Sequence, residues 1–290
     1  MRPQAGPAPV TPILEVIREA AEAVGGLGAV DAVAIAVPGW VNASGGIVNR
    51  AVNLGWEELP LAAIVAGELG LPCTVENDAT LAAAGLIGSA LVAGVSSFAY
   101  VSLGTGIGAG LVLDGEAYRG VRGMAGEVGH VVVEEDGSPC ACGRRGCLET
   151  VAAAPGIVRA AQEMRADGGS GPAPRELTAR DVYLAAAAGD AVAATVIDRA
   201  ARVLTGALVD LSVACDLEVV VLGGGVALAG ETLLAPVRAE LHRLRSASPL
   251  VAGVLGPDGI RLHPRPADAV VDSAVAFARG PIGRGREAPA

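Results

Sequence analysis

The first third of the chain changes from helical spacing to strand spacing of its apolar residues, and then back to helical spacing. Apolar residues recur at helical intervals from Ile13 to Val24, after a Thr11-Pro12 pair that predicts a hydroxyl cap and a proline in the first turn. The apolar run Ala32–Val37 predicts a buried parallel strand. Further on the sequence predicts a loop rich in Gly, Asn and Ser, a helix over Leu59–Leu69, a strand over Pro72–Val75 and a helix over Ala79–Ala90.

The second part of the chain begins with three short strands. The apolar runs Phe98–Leu103, Ile107–Leu113 and Glu116–Tyr118 are joined by Gly-rich turns and predict a meander. The remaining predicted elements are a loop over Asp167–Pro174, a helix capped by Thr178 with Asp181, a helix from Asp190 to about Cys215, a strand over Leu217–Leu222, a helix over Glu231–Arg245, a strand over Arg261–His263, a helix over Ala267–Ala278 and a disordered tail over 280–290.

Both parts of the chain contain the order strand, Gly-rich turn, helix, strand, helix, which is typical of a duplicated α/β fold. Only the second part has a meander in front. A sheet of two short strands, around Ala32 and Thr74, forms a poor core and leaves an open edge. We therefore expect that the natural chain starts upstream or that something else covers this edge.

Composition narrows the class of protein. The chain has 290 residues, of which 52% are hydrophobic, carries a net charge of −10 and contains no Lys. An acidic chain without a basic run is a poor binder of nucleic acid or membrane surfaces. The N-terminus lacks the apolar core of a secretory signal, and no apolar run is long enough to span a bilayer. We expect a cytoplasmic protein with neither nucleic-acid nor membrane partners.

The most specific segment combines one histidine with three clustered cysteines: His130, Cys140, Cys142 and Cys147. Four ligands of this kind suit tetrahedral zinc, and two glycines between the cysteines allow the chain to fold back sharply. Since all four positions would be protein ligands, we predict a structural zinc. The alternative interpretation is three reduced thiols and an unrelated histidine.

Gly104-Thr105-Gly106 begins a run that formally matches a dinucleotide-binding pattern. That pattern requires a helix directly after the glycines, and here the chain continues as a strand and a turn, so we reject it. A Gly-rich turn between two strands can still offer backbone N–H groups and a Thr hydroxyl to a phosphate. A hairpin without a ligand is equally compatible with this run alone.

Glu76-Asn77-Asp78 lies at the carboxyl end of a predicted strand and before a predicted helix, where open α/β sheets usually carry function. A carboxylate at this place could accept a hydroxyl proton from a substrate. Asp78 is also a good N-cap for the Ala-rich helix that follows, and local sequence favours the cap.

Taken together, these segments resemble the ROK family of sugar kinases and sugar-responsive repressors. The resemblance runs from about Thr11 to Ala278, and its most specific part is AGEVGH at 125–130 with CACGRRGCLE at 140–149. ENDA at 76–79, VSLGTGIGAGLVLDG at 101–115, VVVLGGGV at 219–226 and NLGW at 53–56 match in order and spacing.

The resemblance implies an α/β, actin-like fold with two ribonuclease H-like lobes and a cleft in which ATP and a sugar meet. The lobes would comprise residues 1–97 with 268–290, lacking the first strands, and 98–267, with a zinc-binding insertion. By position, Asp78 resembles the general base. The implied sugar partners are Gly39, Asn53, Asn77, Asp78, Glu127, His130 and Glu149, and the implied ATP-binding residues are Gly104, Thr105, Gly106, Gly223, Gly224 and Gly225.

In this family zinc would hold Glu127, His130 and Glu149 in place, and Mg²⁺ would accompany ATP. The resemblance also implies a homodimer. The sequence departs from the family in one serious respect: it contains no Asp–x–Gly–Gly–Thr hairpin to grip the ATP phosphates. For this chain alone we therefore expect weak or absent kinase activity.

Three functions compete at this point. The first is a glucokinase-like, ATP-dependent hexose kinase, which we favour. The second is the sugar-binding effector domain of a ROK repressor, although no DNA-binding helix pair is visible in the sequence. The third is a catalytically impaired homologue. Glucose, mannose, fructose, N-acetylglucosamine and N-acetylmannosamine all suit the hydrogen-bonding residues named above.

Overall fold

The computed structural model describes residues 9–167 and 176–279. The chain divides into two compact units. Unit 1 contains the described residues up to Leu86, the segment Arg119–Ala125 and the described residues from Val270 onward. Unit 2 contains Ile87–Tyr118 and the described part of Gly126–Ala269. No helix in the described ranges is long and apolar enough to cross a membrane. The boundaries predicted near residues 97 and 268 remain predictions.

Unit 1 is built on a two-stranded parallel sheet. Strand β1 (Val33–Val37) pairs with β5 (Cys73–Asn77) in a register that sets Val33 opposite Cys73 and Val37 opposite Asn77. Helices α1 (Thr11–Glu22), α2 (Leu61–Leu69) and α3 (Asp78–Leu86) belong to the same unit, as does most of α10 (Ala269–Arg279). The core buries apolar side chains of the sheet and of α1 and α2, among them Leu14, Val37, Leu61, Val65 and Val75.

The segment predicted as a loop after Gly39 forms a small antiparallel sheet, so this prediction was wrong. Its strands are β2 (Trp40–Asn42), β3 (Ile47–Ala51) and β4 (Trp56–Leu59), in the order β2-β3-β4. Val41, Val48, Ala51 and Trp56 are buried in the unit 1 core. These buried side chains explain why a segment rich in Gly and Asn holds extended strands.

Unit 2 is built on a five-stranded sheet with the order β10-β9-β6-β7-β8. The three strands predicted as a meander, β6 (Phe98–Leu103), β7 (Ile107–Leu113) and β8 (Glu116–Tyr118), are confirmed with the predicted bounds. Strand β9 (Val219–Gly223) is buried along its whole length and runs parallel to β6 and to β10 (Ile260–Leu262). Its continuous apolar run is typical of a strand covered on both faces.

Six helices lie in the described part of unit 2 besides the sheet. They are α4 (Leu148–Ala152), α5 (Ala154–Asp167), α6 (Ala179–Ala187), α7 (Ala191–Cys215), α8 (Glu231–Ala247) and α9 (Pro249–Val254). The predicted cap of α6 is confirmed: the Thr178 side chain accepts the N–H of Asp181, and the Asp181 carboxylate accepts the N–H of Thr178. Apart from Asp167, which ends α5, the loop predicted over Asp167–Pro174 lies outside the described residues, and so does the predicted tail.

The predicted cap of α1 was wrong. The helix begins at Thr11, its N-cap is Val10, and among the residues described from position 9 onward no side chain caps this end. Pro12 does lie in the first turn, where its missing N–H costs nothing. The Thr11-Pro12 pair therefore marks the start of the helix through proline rather than through the hydroxyl.

Candidate functional site

The strand–helix junction of unit 1 brings together three of the residues predicted to bind a sugar. Asn77 ends β5 and Asp78 begins α3. The Asn77 side-chain amide donates from Nδ2 to the carbonyl oxygen of Gly39 at 3.0 Å, while its Oδ1 accepts the N–H of Thr80 at 3.0 Å. Asn77 thus caps α3 and ties the junction to the segment after β1.

Asp78 is half-buried at the first position of α3. Its Oδ1 accepts the N–H of the next residue, Ala79, at 2.8 Å, and it forms no ion pair within the described residues. Burial raises the pKa of the Asp78 carboxyl above its ordinary value, and backbone N–H groups partly offset this effect. The arrangement leaves a carboxylate that is more basic than that of an ordinary aspartate.

Gly39 has a backbone conformation that other residues rarely adopt. Its φ is +122°, and a Cβ at this position would lie 2.4 Å from the carbonyl oxygen of Arg50 on β3. Glycine is therefore required for the close approach between the end of β1 and the small sheet. Asn53 lies in the 3₁₀ turn Val52–Leu54 after β3, where it is exposed to solvent.

Two residues that the sequence argument did not assign support this junction. Glu76 is buried, and its Oε2 accepts a hydrogen bond from Nε of Arg119 at 2.7 Å. Its Oε1 accepts the N–H of Asn77 at 3.0 Å. The sequence does show a second carboxylate, Glu76, close to the predicted general base. Its partner Arg119 lies too far along the chain for a local pattern to reveal the pair.

The histidine and three cysteines of unit 2 converge on one point. The ligand atoms of His130, Cys140, Cys142 and Cys147 all lie within 4.8 Å of one another. Nδ1 of His130 is 3.5 Å from Sγ of Cys140, and Sγ of Cys142 is 3.6 Å from Sγ of Cys147. Zinc bond lengths place the ligand atoms of a tetrahedron roughly 3.5–3.8 Å apart, so the four groups fit a zinc ion.

The backbone of this loop turns at the two glycines that the sequence identified. Gly143 has a φ of +90° and Gly146 a φ of +63°, both in the left-handed region. A Cβ at Gly146 would lie 1.5 Å from the carbonyl oxygen of Glu134, so no other residue fits there. Burial raises the pKa values of the Cys140 and Cys147 thiols, whereas the backbone N–H of Arg144 lowers that of Cys142.

The predicted sugar partners of unit 2 surround the histidine of this cluster. Oε2 of Glu127 lies 3.8 Å from Nε2 of His130, and Oε1 of Glu149 lies 3.6 Å from its Nδ1. Glu149 belongs to the first turn of α4, which directly follows Cys147. Oε1 of Glu149 also accepts a hydrogen bond from the Cys140 thiol at 3.0 Å. Both carboxylates therefore lie beside the cluster, and Glu149 is hydrogen-bonded to it.

The first Gly-rich turn joins β6 to β7 next to one of these carboxylates. The N–H of Gly104 donates to the carbonyl oxygen of Gly106 at 3.0 Å. The carbonyl oxygen of Gly104 accepts the N–H of Ala154 at 2.9 Å. A Cβ at Gly106 would lie 3.1 Å from Oε2 of Glu149. Thr105 is exposed at the tip of the turn.

The second Gly-rich turn follows β9, and its three glycines differ in surroundings. A Cβ at Gly223 would lie 2.1 Å from the hydroxyl of Tyr100, and one at Gly224, which has a φ of +82°, would lie 2.5 Å from the carbonyl oxygen of Leu103. Gly225 is exposed and has nothing within 4 Å of its Cβ position. Packing accounts for the first two glycines, and only Gly225 faces open space.

A polar cavity of about 460 Å³ lies elsewhere in unit 2, and none of the predicted sugar or ATP residues lines it. Its charged side chains balance one another: Arg199 pairs with Glu134, and Arg159 lies 3.6 Å from Glu163. The charge balance gives no preference for an anion or a cation.

Comparisons with known proteins agree with this architecture. The model of the ROK family matches residues 4–252. A glucokinase of Halalkalibacterium halodurans is 41% identical over 213 residues, which are 71% of this chain and 64% of that protein. The chain thus spans less than two thirds of the length of this relative.

Two solved structures are similar over nearly the whole chain. A ROK family glucokinase from Streptomyces griseus, in complex with glucose and AMPPNP, has a TM-score of 0.79 and 30% identity, covering 95% of this chain and 90% of that one. A ROK family transcriptional regulator, a homolog of the E. coli MLC protein, has a TM-score of 0.76 and 26% identity, covering 93% and 69%. The predicted α/β sugar-kinase fold, actin-like and ribonuclease H-like, is confirmed.

Proposed function

Because this chain belongs to the ROK family, we propose that it is a glucokinase-like, ATP-dependent hexose kinase. The observation that carries the proposal is the junction between β5 and α3. There Asn77 caps α3, so the carboxylate of half-buried Asp78 is not needed for the cap. The likeness to a glucokinase structure containing glucose and AMPPNP supports the same function.

Asp78 is the proposed general base. Phosphoryl transfer to an alcohol needs positioning, charge neutralisation and a group that accepts the hydroxyl proton. A base works best when its pKa lies near the working pH, and burial moves the pKa of Asp78 in that direction. In this proposal the carboxylate takes the proton of one sugar hydroxyl as that oxygen bonds to the terminal phosphorus of ATP, while the bond from this phosphorus to the bridging oxygen breaks and ADP leaves.

The proposed sugar-binding residues are Gly39, Asn53, Asn77, Asp78, Glu127, His130 and Glu149. Each carboxylate can accept from two hydroxyls, and the Asn77 amide can donate and accept, which suits a polyol. The hydrogen bond from Asn77 to Gly39 and the contacts of His130 with the two glutamates support this set.

We propose that His130, Cys140, Cys142 and Cys147 hold a structural zinc ion. The spacing of their ligand atoms fits tetrahedral zinc and leaves no ligand position open for catalysis. A bound zinc would supply cross-linking of the loop and require the three cysteines as thiolates. Within the chain, His130 and the start of α4 would then hold Glu127 and Glu149 in fixed positions.

ATP, with Mg²⁺, is the proposed phosphoryl donor. The turn Gly104-Thr105-Gly106 would offer the backbone N–H groups of Thr105 and Gly106 and the Thr105 hydroxyl to the phosphates, since the N–H of Gly104 already bonds within the turn and Thr105 is exposed. Of Gly223, Gly224 and Gly225, the last is best placed to meet adenosine, because the first two pack against neighbouring strands. A reaction that consumes ATP suits a cytoplasmic protein, and we propose a homodimer from the family resemblance.

A coupled assay of ADP release tests this function with ATP, Mg²⁺ and a panel of glucose, mannose, fructose, N-acetylglucosamine and N-acetylmannosamine. Sugar binding is measured separately by calorimetry, because the sequence contains no Asp–x–Gly–Gly–Thr motif and transfer can be weak where binding is intact. Saturable turnover with one of these sugars, abolished in Asp78→Asn, is the expected result. Turnover that survives this substitution would refute the base assignment.

A second candidate function is the sugar-binding part of a ROK repressor. The likeness to a ROK transcriptional regulator over 93% of this chain favours it. This candidate predicts sugar binding of ordinary affinity without any ADP release. It also predicts that Asp78→Asn changes sugar affinity only modestly, because no proton has to move.

A further inference from the structure

Residues Arg119–Ala125, here called the strap, belong to unit 1 although the chain on both sides of them belongs to unit 2. The N–H of Ala125 donates to the carbonyl oxygen of Arg119 at 3.1 Å, so the two ends of the strap meet. The strap is thus a closed loop whose first residue is also the partner of the buried Glu76. In sequence it leads directly to Gly126 and Glu127.

The middle of the strap lies against the backbone of β2. The indole Nε1 of Trp40 donates to the carbonyl oxygen of Arg122. Gly123 has a φ of +73°, and a Cβ there would lie 2.4 Å from the carbonyl oxygen of Val41. Backbone therefore approaches backbone closely at this point, and the strap has a fixed position on the strand that follows Gly39.

The other attachment of the strap reaches the strand–helix junction. The side chain of Glu76 is 3% exposed and that of Arg119 34% exposed. Burying a carboxylate is costly unless it is paired, and the Arg119 guanidinium supplies that partner to Glu76. The second oxygen of Glu76 accepts the N–H of Asn77, whose side chain in turn caps α3 and reaches Gly39. Two hydrogen bonds thus connect Arg119, through Glu76, to the backbone N–H of Asn77, the residue before Asp78.

We propose that Arg119 and Glu76 are positioning residues for the proposed phosphoryl transfer, which hold the junction so that the Asp78 carboxylate meets the sugar hydroxyl. The proposal rests on the proposed function, in which Asp78 is the base. In this proposal Arg119 acts through Glu76, and Glu76 acts through the Asn77 peptide, so neither residue needs to contact the sugar. Arg119 donates from Nε of its planar guanidinium, a geometry that the ammonium of a lysine reproduces only in part.

Kinetics of Arg119→Ala and Arg119→Lys test the proposal, with Arg165→Ala and Arg165→Lys as matched controls. Arg165 also donates to a carboxylate, that of Asp190, at 2.6 Å, and its side chain is 24% exposed, similar to that of Arg119, whereas Asp190 is 32% exposed and so lies nearer solvent than Glu76. We expect kcat to fall tenfold or more in Arg119→Ala, with partial rescue in Arg119→Lys and little change in KM for ATP. Equal kcat values in the two alanine variants, per folded molecule, would overturn the proposal.

Amide NMR spectra of the same four variants give a readout that does not depend on activity. The N–H groups of Ala79 and Thr80 bond to Asp78 and Asn77, so their chemical shifts report the junction directly. We expect both signals to move in Arg119→Ala and to stay in place in Arg165→Ala. If the unaltered chain phosphorylates no sugar, the proposed kinase function fails. Unmoved Ala79 and Thr80 signals in Arg119→Ala would overturn the positioning proposal in either case.

Discussion

The side-chain oxygen of Asn77 accepts the backbone N–H of Thr80 at 3.0 Å, and this bond assigns the cap of α3 to Asn77 rather than to Asp78. Local sequence favoured the cap as the role of Asp78, and this prediction was wrong. Asn77 therefore caps the helix, and the adjacent Asp78 has the proposed chemical role. Substitutions at the two positions should therefore have separable effects.

For Asp78→Asn we expect phosphoryl transfer to fall about 10²- to 10⁴-fold, the usual contribution of a general base, with the fold intact. For Asn77→Ala we expect the free energy of unfolding to fall by about 1 kcal/mol through loss of the cap. Steady-state kinetics and urea unfolding separate the two results. Asp114→Asn, in the turn after β7, is a control expected to change neither.

The pH dependence of kcat/KM should show the burial of Asp78. Burial raises the pKa of its carboxyl, and the base works only when it is ionised, so activity falls as pH drops through that raised pKa. The acid limb should lie at higher pH than the pKa of an exposed aspartate. A limb at the ordinary position would contradict the role of burial.

The free energy of unfolding should respond to the ionisation of Asp78 in the opposite direction from activity, falling where activity rises. The folded state binds the proton of Asp78 more tightly than the unfolded state does. Ionisation therefore costs stability as pH rises through the raised pKa. The stability of Asp78→Asn relative to the unaltered chain should increase from acid to neutral pH. If the relative stability does not change with pH, the carboxyl of Asp78 is well solvated in the folded chain.

Removal of one cysteine ligand should release the metal. Cys142→Ser leaves three of the four proposed ligands, so we expect the zinc content to fall from about one ion per chain to a small fraction, with weaker sugar binding. Metal analysis of purified protein and calorimetry with a sugar measure the two effects. Cys215→Ser, at the end of α7 and outside the cluster, should retain zinc. Full occupancy in Cys142→Ser would refute the ligand set.

Gly39 and Gly67 form a contrasting pair of glycine substitutions. Gly39→Ala places a Cβ 2.4 Å from a carbonyl oxygen at a φ of +122°, so we expect a loss of about 1–3 kcal/mol in the free energy of unfolding. Gly67→Ala lies inside α2 with nothing within 4 Å, and should stabilise the helix by roughly 0.5–1 kcal/mol. Equal unfolding midpoints for the two variants would contradict this account.

Substitutions of Gly224 and Gly225 should have separate effects, one on the packing of the turn after β9 and the other on the proposed binding of ATP. Gly224→Ala should destabilise the chain, because its Cβ would lie 2.5 Å from a backbone oxygen at a φ of +82°. Gly225→Ala has open space and should leave the melting temperature unchanged while weakening ATP binding. Calorimetric titration with a non-hydrolysable ATP analogue measures the second effect, and unchanged affinity would remove Gly225 from the proposed adenosine site.

Sequence predicted the elements whose apolar pattern is local and strong. Strands β6, β7 and β8 have the predicted bounds, and α7 ends at Cys215 as expected. The His130 and cysteine cluster was also predictable, because ligand type and spacing carry the metal chemistry by themselves. These features depend on residues close together in the chain.

The missed features depend on contacts between distant segments. Strands β2, β3 and β4 contain three to five residues each among Gly and Asn, and they are held by burial against the unit 1 core. The contacts of Trp40 with Arg122 and of Glu76 with Arg119 span long stretches of chain. No local period reports such pairs, so the small sheet was predicted as a loop and Arg119 was not assigned.

The interleaved order of the two units also determines the order in which a ribosome can complete them. Unit 2 has all its described residues once Ala269 has been synthesised, whereas unit 1 still waits for α10. That helix packs closely on α3: the Ser273 hydroxyl donates to the carbonyl oxygen of Ala82, and a Cβ at Gly85 would lie 2.2 Å from that hydroxyl. Unit 1 therefore begins before unit 2 along the chain and is completed after it, and the nascent junction at Asp78 stays incompletely packed until α10 has been synthesised.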